Sequence, residues 1–232
     1  MKKVLAISAH PDDETLGAGG TLLSASRDGG EVYWAVVTQP DVESHGEDIV
    51  SRAARQVEDA ATAYGCKKHF RLGFPTARLD TVPQHDLMAS LKATIEEVRP
   101  DTVLVVHGGD VHTDHHAVFT ATMSVLKPFH QHSLGVQLIF AYETLSSTEA
   151  APANPARAFV PNMFFDITPH MARKIEIMEI FGTEKQEELM PRGSSAIRAL
   201  GRFRGATIGV EYAEAFQLIR SVPAAPGSTR SR

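Results

Sequence analysis

Five consecutive residues, His10-Pro11-Asp12-Asp13-Glu14, place one imidazole and three carboxylates directly after the apolar run Val4-Leu5-Ala6-Ile7. Like charges this close raise one another's pKa and cost free energy unless a cation or a substrate offsets them. The donor types suit a metal such as Zn²⁺ or Fe²⁺, and a carboxylate left off the metal can act as a base on water beside it. Capping of a following helix by Asp12 or Asp13 would account for the acids, because carboxylates complement the positive end of a helix. It gives the preceding histidine no purpose.

A second polar cluster, His107-Gly108-Gly109-Asp110-Val111-His112-Thr113-Asp114-His115-His116, follows the apolar run Thr102-Val103-Leu104-Val105-Val106. With 11 histidines in 232 residues, one histidine-rich loop carries little weight, but two clusters at two strand ends carry more. His10-x-x-Asp13 offers two ligands and His112-x-x-His115 one or two. Three protein ligands with an open position make a catalytic zinc site, whereas a fourth closes it. One histidine is therefore expected to be kept for chemistry.

The elements that must position these clusters follow from periodicity. Val4 to Ser8 reads as a strand buried on both faces, with a helix at about 14 to 28 ended by Asp28-Gly29-Gly30 and a second strand over Val32 to Thr38. A helix over about 47 to 64, a strand over Lys68 to Leu72, a helix over about 84 to 99, a strand over Thr102 to Val106 and a helix through about 127 come next. Val136 to Ala141 and Phe164 to Ile167 read as strands, with an irregular loop over 144 to 162 between them. Thr168 is expected to cap a helix from Met171 to about Phe181; a further helix reaches Arg204 and a last strand spans Glu214 to Val222. Strands alternating with helices predict a single-domain, Rossmann-like three-layer α/β/α fold with a mostly parallel sheet over 1–222, followed by a disordered tail over 223–232. Reactive crevices of such sheets lie at the carboxyl ends of the strands, where both clusters fall.

Composition narrows the partners. A hydrophobic fraction of 43%, a charged fraction of 22% and a net charge of -5 describe a soluble globular chain with no basic field for nucleic acid. The single Cys66 excludes an internal disulfide, no segment reads as a signal peptide, and no window approaches the roughly 18 apolar residues of a membrane span. The reading is a cytoplasmic protein with small-molecule partners. A nucleotide-binding module is disfavoured: the first loop lacks Gly-x-Gly-x-x-Gly, and Gly17-Ala18-Gly19-Gly20 falls inside the helix, where glycines permit close packing on the sheet.

Ala9-His10-Pro11-Asp12-Asp13-Glu14 with the later His112-Thr113-Asp114-His115 resembles the LmbE-like, or PIG-L, zinc-dependent N-deacetylases. Gly73-Phe74-Pro75, Tyr142-Glu143-Thr144-Leu145-Ser146-Ser147-Thr148 and Gly209-Val210-Glu211-Tyr212-Ala213-Glu214-Ala215-Phe216 extend the resemblance along nearly the whole chain. It implies removal of an acetyl group from an N-acetylglucosamine-type sugar or sugar conjugate by attack of a metal-bound water on the amide carbonyl. His10, Asp13 and His115 become the metal ligands, Zn²⁺ or alternatively Fe²⁺ the cofactor, and Asp12 the general base. His112 becomes the acid or oxyanion stabiliser, as a cation hydrogen-bonded to Asp114. The family also implies self-association. Hydrolysis of another small amide or ester is the alternative at the same site.

For the substrate, the resemblance points to an arginine early in the second long helix, with Arg52 and Arg55 as the candidates. Where many relatives carry Asp after Phe-Pro this chain has Thr76, which makes Arg78 and Asp80 candidate replacements. Tyr142 and Glu143, at a strand end, are positioned to meet a hydroxyl. Asp110 stands where some relatives place a tyrosine near the carbonyl. Glu14 reads as a first-turn helix residue, with support of a metal ligand as the alternative, and Arg192 as a surface arginine, with reach to a phosphate or carboxylate of a larger substrate as the alternative; His116 reads as a helix-surface residue, and His45, His107, His130, His132 and His170 as surface or loop histidines.

Overall fold

A computed structural model describes residues 1–222; the tail expected over 223–232 lies outside the described residues. Seven strands form one sheet: β1 (Lys3–Ser8), β2 (Glu31–Gln39), β3 (Lys68–Pro75), β4 (Thr102–Val106), β5 (Leu138–Tyr142), β6 (Met163–Asp166) and β7 (Ala213–Ser221). Their order is β3-β2-β1-β4-β5-β7-β6. Neighbours are parallel from β3 through to β5, and β7 runs antiparallel to both β5 and β6. β1 and β4 are buried along almost their whole length, as their unbroken apolar runs require.

Eight helices flank the sheet: α1 (Asp13–Arg27), α2 (Val42–His45), α3 (Glu47–Tyr64), α4 (Gln84–Val98), α5 (Thr113–Val125), α6 (Pro128–Leu134), α7 (Met171–Ile180) and α8 (Ser194–Ile208). The chain steps from β1 through α1 to β2 and through α3 to β3, then returns through α4 to β4 on the other side of β1. Right-handed crossovers put α1 and α3 on one face and α4 and α5 on the other. The packing agrees: α1 touches α3 and α7, while α4 packs on α5. The reversal of direction between β1 and β4 opens a crevice at their carboxyl ends. Both polar clusters emerge there.

The expected α/β architecture and the order of its elements are those observed, with differences of detail. The helix expected through about 127 ends at Val125, and Pro128, whose fixed φ suits the first turn of a helix, starts α6. Thr168 opens a short 3₁₀ turn, Thr168–His170, rather than capping α7 directly, and the Asp166 carboxylate accepts the Thr168 amide proton at 2.8 Å. Among the described residues no helix is long and apolar enough to cross a membrane.

Close approach of α1 to the sheet depends on its glycines. A Cβ on Gly17 would overlap the Tyr142 ring and the Glu143 carbonyl, and one on Gly20 would lie 2.6 Å from Ile167 side-chain carbons. Gly17→Ala therefore forces α1 off β5, and overpacking of a tight core costs typically 1–3 kcal/mol. We expect a loss of about 2 kcal/mol in urea unfolding. A loss below about 0.5 kcal/mol would mean that the Tyr142 ring moves aside freely.

Candidate metal centre

The loop from Ala9 to Asp12 delivers the first cluster and the turn before α5 the second. Three imidazoles, His10, His112 and His115, converge so that one ligand nitrogen from each lies within 4.8 Å of the others, a triad able to hold a metal ion. Asp13 joins them: its Oδ2 lies 3.6 Å from His10 Nδ1 and its Oδ1 3.3 Å from His115 Nε2. All four side chains line one cavity of about 410 Å³, in the size range of small-molecule sites.

Hydrogen bonds on the far side of each ring fix what it presents to this cavity. A carboxylate can only accept, so His10 must donate from Nε2 to Asp114 Oδ2 at 2.9 Å, and His115 from Nδ1 to Asp110 Oδ2 at 2.7 Å. Neutral His10 then presents the lone pair of Nδ1, and neutral His115 that of Nε2. His112 is wired the opposite way. Its Nδ1 accepts the backbone N–H of Asp114 at 3.2 Å, so the neutral ring keeps its proton on Nε2 and offers a donor.

The local potential favours cations. Burial lowers the His10 pKa, but the hydrogen bonds to Asp114 and Asp13 outweigh it and carry it up to about 9. For His115 burial is likewise overcome, chiefly by the Asp13 charge and the Asp110 hydrogen bond, to about 10. Burial would raise Asp13, but the His115 charge and hydrogen bonds from both histidines hold it well below the usual carboxylate range. Asp13, Asp110 and Asp114 are all nearly or fully buried. A buried set of two imidazole lone pairs and a carboxylate inside a ring of further carboxylates fits a divalent ion of the zinc or iron(II) type.

Asp12, as buried as its neighbour, differs from it in backbone, partner and basicity. Its backbone is left-handed, with φ 105° and ψ −29°, a conformation costly for a non-glycine residue. Its side chain caps nothing and instead accepts from Arg192 Nη1 at 3.2 Å. Burial and the Asp13 charge push its pKa up to about 8, against the opposing pull of Arg192. Glu14 is fully buried rather than a solvated first-turn acid; it accepts from Thr15 Oγ1 at 2.7 Å and from the Asp12 amide at 3.3 Å, and burial pushes its pKa well up. It props the strained Asp12 backbone from below.

Several expectations require correction. The Asp114 carboxylate does not bond His112: it is spent on His10 and on the amides of Ala77 (2.7 Å) and Leu79 (3.1 Å). Burial, with the charges of His10 and His115, also lowers the His112 pKa to about 4, so the ring is neutral rather than cationic. Arg52 and Arg55 lie on the solvent side of α3, which faces the cavity with Ile49, Ala53 and Gln56. Arg78 is exposed and pairs with Asp41 at 3.3 Å, outside the cavity. Tyr142 is fully buried, and its hydroxyl donates to the Ile7 carbonyl at 3.0 Å, which leaves none of it for a ligand. Glu143 is held by Arg204 through two bonds of 2.8 and 2.6 Å. His107 is buried, donating from Nε2 to the Arg157 carbonyl at 2.9 Å, and His116 is half-buried against the Asp110 carbonyl.

The sequence reading missed Gln56, Thr183, Glu184, Ser146, Ser147 and the cavity-facing Arg192, which complete the polar wall with Thr76. Helix phase supplied a signal for Gln56, three residues after Ala53 on the inward stripe of α3. Nothing local marked Glu184, and nothing local pointed Arg192 at Asp12.

Because Asp110 orients His115, Asp110→Ala removes the acceptor that holds the lone pair on the cavity side. We expect metal affinity to fall roughly 10–100-fold with the fold intact, measured by competition with a chromogenic chelator. Unchanged affinity would show that His115 holds its orientation unaided.

Comparison with known proteins finds relatives along most of the chain. The family model of PIG-L, described as GlcNAc-PI de-N-acetylase, matches residues 5–126. An uncharacterized deacetylase of Escherichia coli is 30% identical over 151 residues, 63% of this chain and 76% of that protein. Diacetylchitobiose deacetylase of Thermococcus kodakarensis is 24% identical over 242 residues, covering 96% of this chain and 85% of that one. The solved structure of N,N'-diacetylchitobiose deacetylase from Pyrococcus horikoshii, complexed with its inhibitor, shares the fold with a TM-score of 0.73 at 24% identity, over 94% of this chain and 84% of the other. With the family model spanning more than half of the chain and the fold shared almost end to end, this protein belongs to the PIG-L family.

Proposed function

We propose that the protein is a metal-dependent hydrolase that removes the acetyl group from an N-acetylglucosamine-type amino sugar or sugar conjugate. The observation that carries this reading is the division of labour set by the hydrogen bonds: His10 and His115 present lone pairs beside Asp13, His112 presents an N–H, and Asp12 stands free of all three. His10, Asp13 and His115 would hold Zn²⁺, or Fe²⁺ in its place. Such an ion, when bound, supplies a Lewis acid for the amide carbonyl and acidifies water at the site.

The remaining steps belong to the chain's own residues. Asp12 takes the proton of the attacking water as the water oxygen bonds to the acetyl carbon, the task of a buried base whose pKa lies near neutrality. Charge then develops on the carbonyl oxygen, where the His112 Nε2–H donates a hydrogen bond. When the carbon–nitrogen bond breaks, the proton held by Asp12 passes to the nitrogen, with His112 in reach to assist. Acetate and a free amino sugar leave. Sugar hydroxyls fall to Gln56, Thr76, Ser146 and Ser147, among the uncharged polar side chains of the wall, in place of Arg52, Arg55, Arg78 and Tyr142. What the relatives act on supports the substrate class: two curated relatives are named for deacetylation of diacetylchitobiose and of a 2-acetamido-2-deoxy-glucopyranoside conjugate.

Metal-loaded protein should release equimolar acetate and primary amine from at least one of N-acetylglucosamine, diacetylchitobiose and an N-acetylglucosaminyl conjugate, and chelator should abolish that release. Asp12→Asn should lower kcat by about 10²–10⁴-fold while keeping its metal. Metal-replete protein that liberates no amine from the panel but cleaves simple acetyl esters would replace this reading with that of an esterase.

A further inference from the structure

We propose that Arg192 is a positioning residue for Asp12, holding its carboxylate in the orientation from which it takes the proton of the attacking water; this rests on the deacetylase reading. Among the described residues, Arg192 is the only hydrogen-bond partner of the Asp12 carboxylate. Nη1 donates to Oδ2 at 3.2 Å, which leaves Oδ1 for the water. Asp12 needs such a partner. Its backbone sits in a left-handed conformation, its carboxylate is buried, and its neighbour Asp13 repels it. Without a fixed donor, rotation about the side chain would turn the carboxylate away from Asp13 and out of line with the carbonyl.

The arginine is itself held. The same Nη1 bonds Glu184 Oε2 at 3.1 Å, and the Arg192 amide donates to Gln186 Oε1 at 3.1 Å. Thr183 Oγ1 donates to Gln56 Oε1 on α3 at 3.2 Å, tying the segment to the cavity wall. Gly193 lets the chain fold back on itself there, since a Cβ would lie 2.5 Å from the Glu187 carbonyl oxygen and 2.8 Å from Glu188 Cα. The guanidinium also leaves Nε buried without a partner. Arg192 donates hydrogen bonds throughout and gives up no proton: water loses one to Asp12, and the departing nitrogen receives it.

Arg192→Ala is the test. Misplacement of a reacting group by about 1 Å can cost 10²-fold, so kcat should fall about 100-fold with KM within about threefold and metal content unchanged. Guanidinium at millimolar concentration should restore part of kcat, and Arg192→Lys should fall between the two. A crystal structure of the metal-loaded alanine variant should show the Asp12 carboxylate turned from its place. A raised KM with unchanged kcat would overturn the proposal by making Arg192 a substrate anchor, and an unmoved Asp12 would overturn it whatever the kinetics. Should the wild type hold metal yet hydrolyse no substrate, the deacetylase reading fails on its own, and the position of Asp12 in the variant still judges Arg192.

Discussion

The site hangs on one carboxylate. Asp114 is fully buried, and its two oxygens accept from His10, from the amide of Ala77 and from the amide of Leu79. Those three donors come from the loop after β1, the loop after β3 and the 3₁₀ turn Leu79–Thr81 that follows it, while Asp114 itself belongs to α5, the helix that follows β4. One ion thus pins the carboxyl ends of three strands to each other. A buried carboxylate that accepts three hydrogen bonds stays ionised, and its pKa is accordingly lowered despite burial. Because the same group orients His10, the geometry of the loops and the tautomer of the ring are one constraint.

The first loop also needs a fixed floor, and α1 supplies it in an unusual way. A buried ion pair from outside α1 bonds its backbone at the Leu16 carbonyl and the Gly20 amide. Lys174 Nζ donates to the Leu16 carbonyl at 2.8 Å and to Glu214 at 2.7 Å, while Glu214 accepts the Gly20 and Thr21 amides at 2.8 Å each. A buried ion pair repays its desolvation only when its remaining hydrogen-bonding capacity is filled, and here the backbone of α1 fills it. The pair joins α1 to α7 and β7, so the antiparallel end of the sheet braces the helix that begins at the site.

Adjacent carboxylates are driven to opposite behaviour by what surrounds them. Asp13 lies between two imidazoles and is held ionised; Asp12, one residue earlier, is lifted toward neutrality by burial and by Asp13 itself. Sequence adjacency causes both effects, because the strained turn at Asp12 sends the two side chains to different partners. Crowding that costs stability is thereby converted into two groups of different basicity a few ångströms apart.

Periodicity alone located nearly every strand and helix, because apolar runs and glycine stops are local properties of the chain. His10, Asp13, His112 and His115 were also legible, since each cluster sits at a strand end and their residue types admit few other uses. Partners were not. That Asp114 serves His10 and not His112, that Asp110 serves His115, that Tyr142 is a strut, and that Arg192 reaches Asp12 from 180 residues away are matters of which donor folding brings within hydrogen-bond distance of which oxygen. The sequence by itself determined the candidate donor set and the sheet edge that gathers it, for polar clusters and apolar runs are written in order along the chain. Only the tertiary structure decided which nitrogen of each ring carries the proton and which polar side chains wall the cavity, because those depend on neighbours brought together by folding.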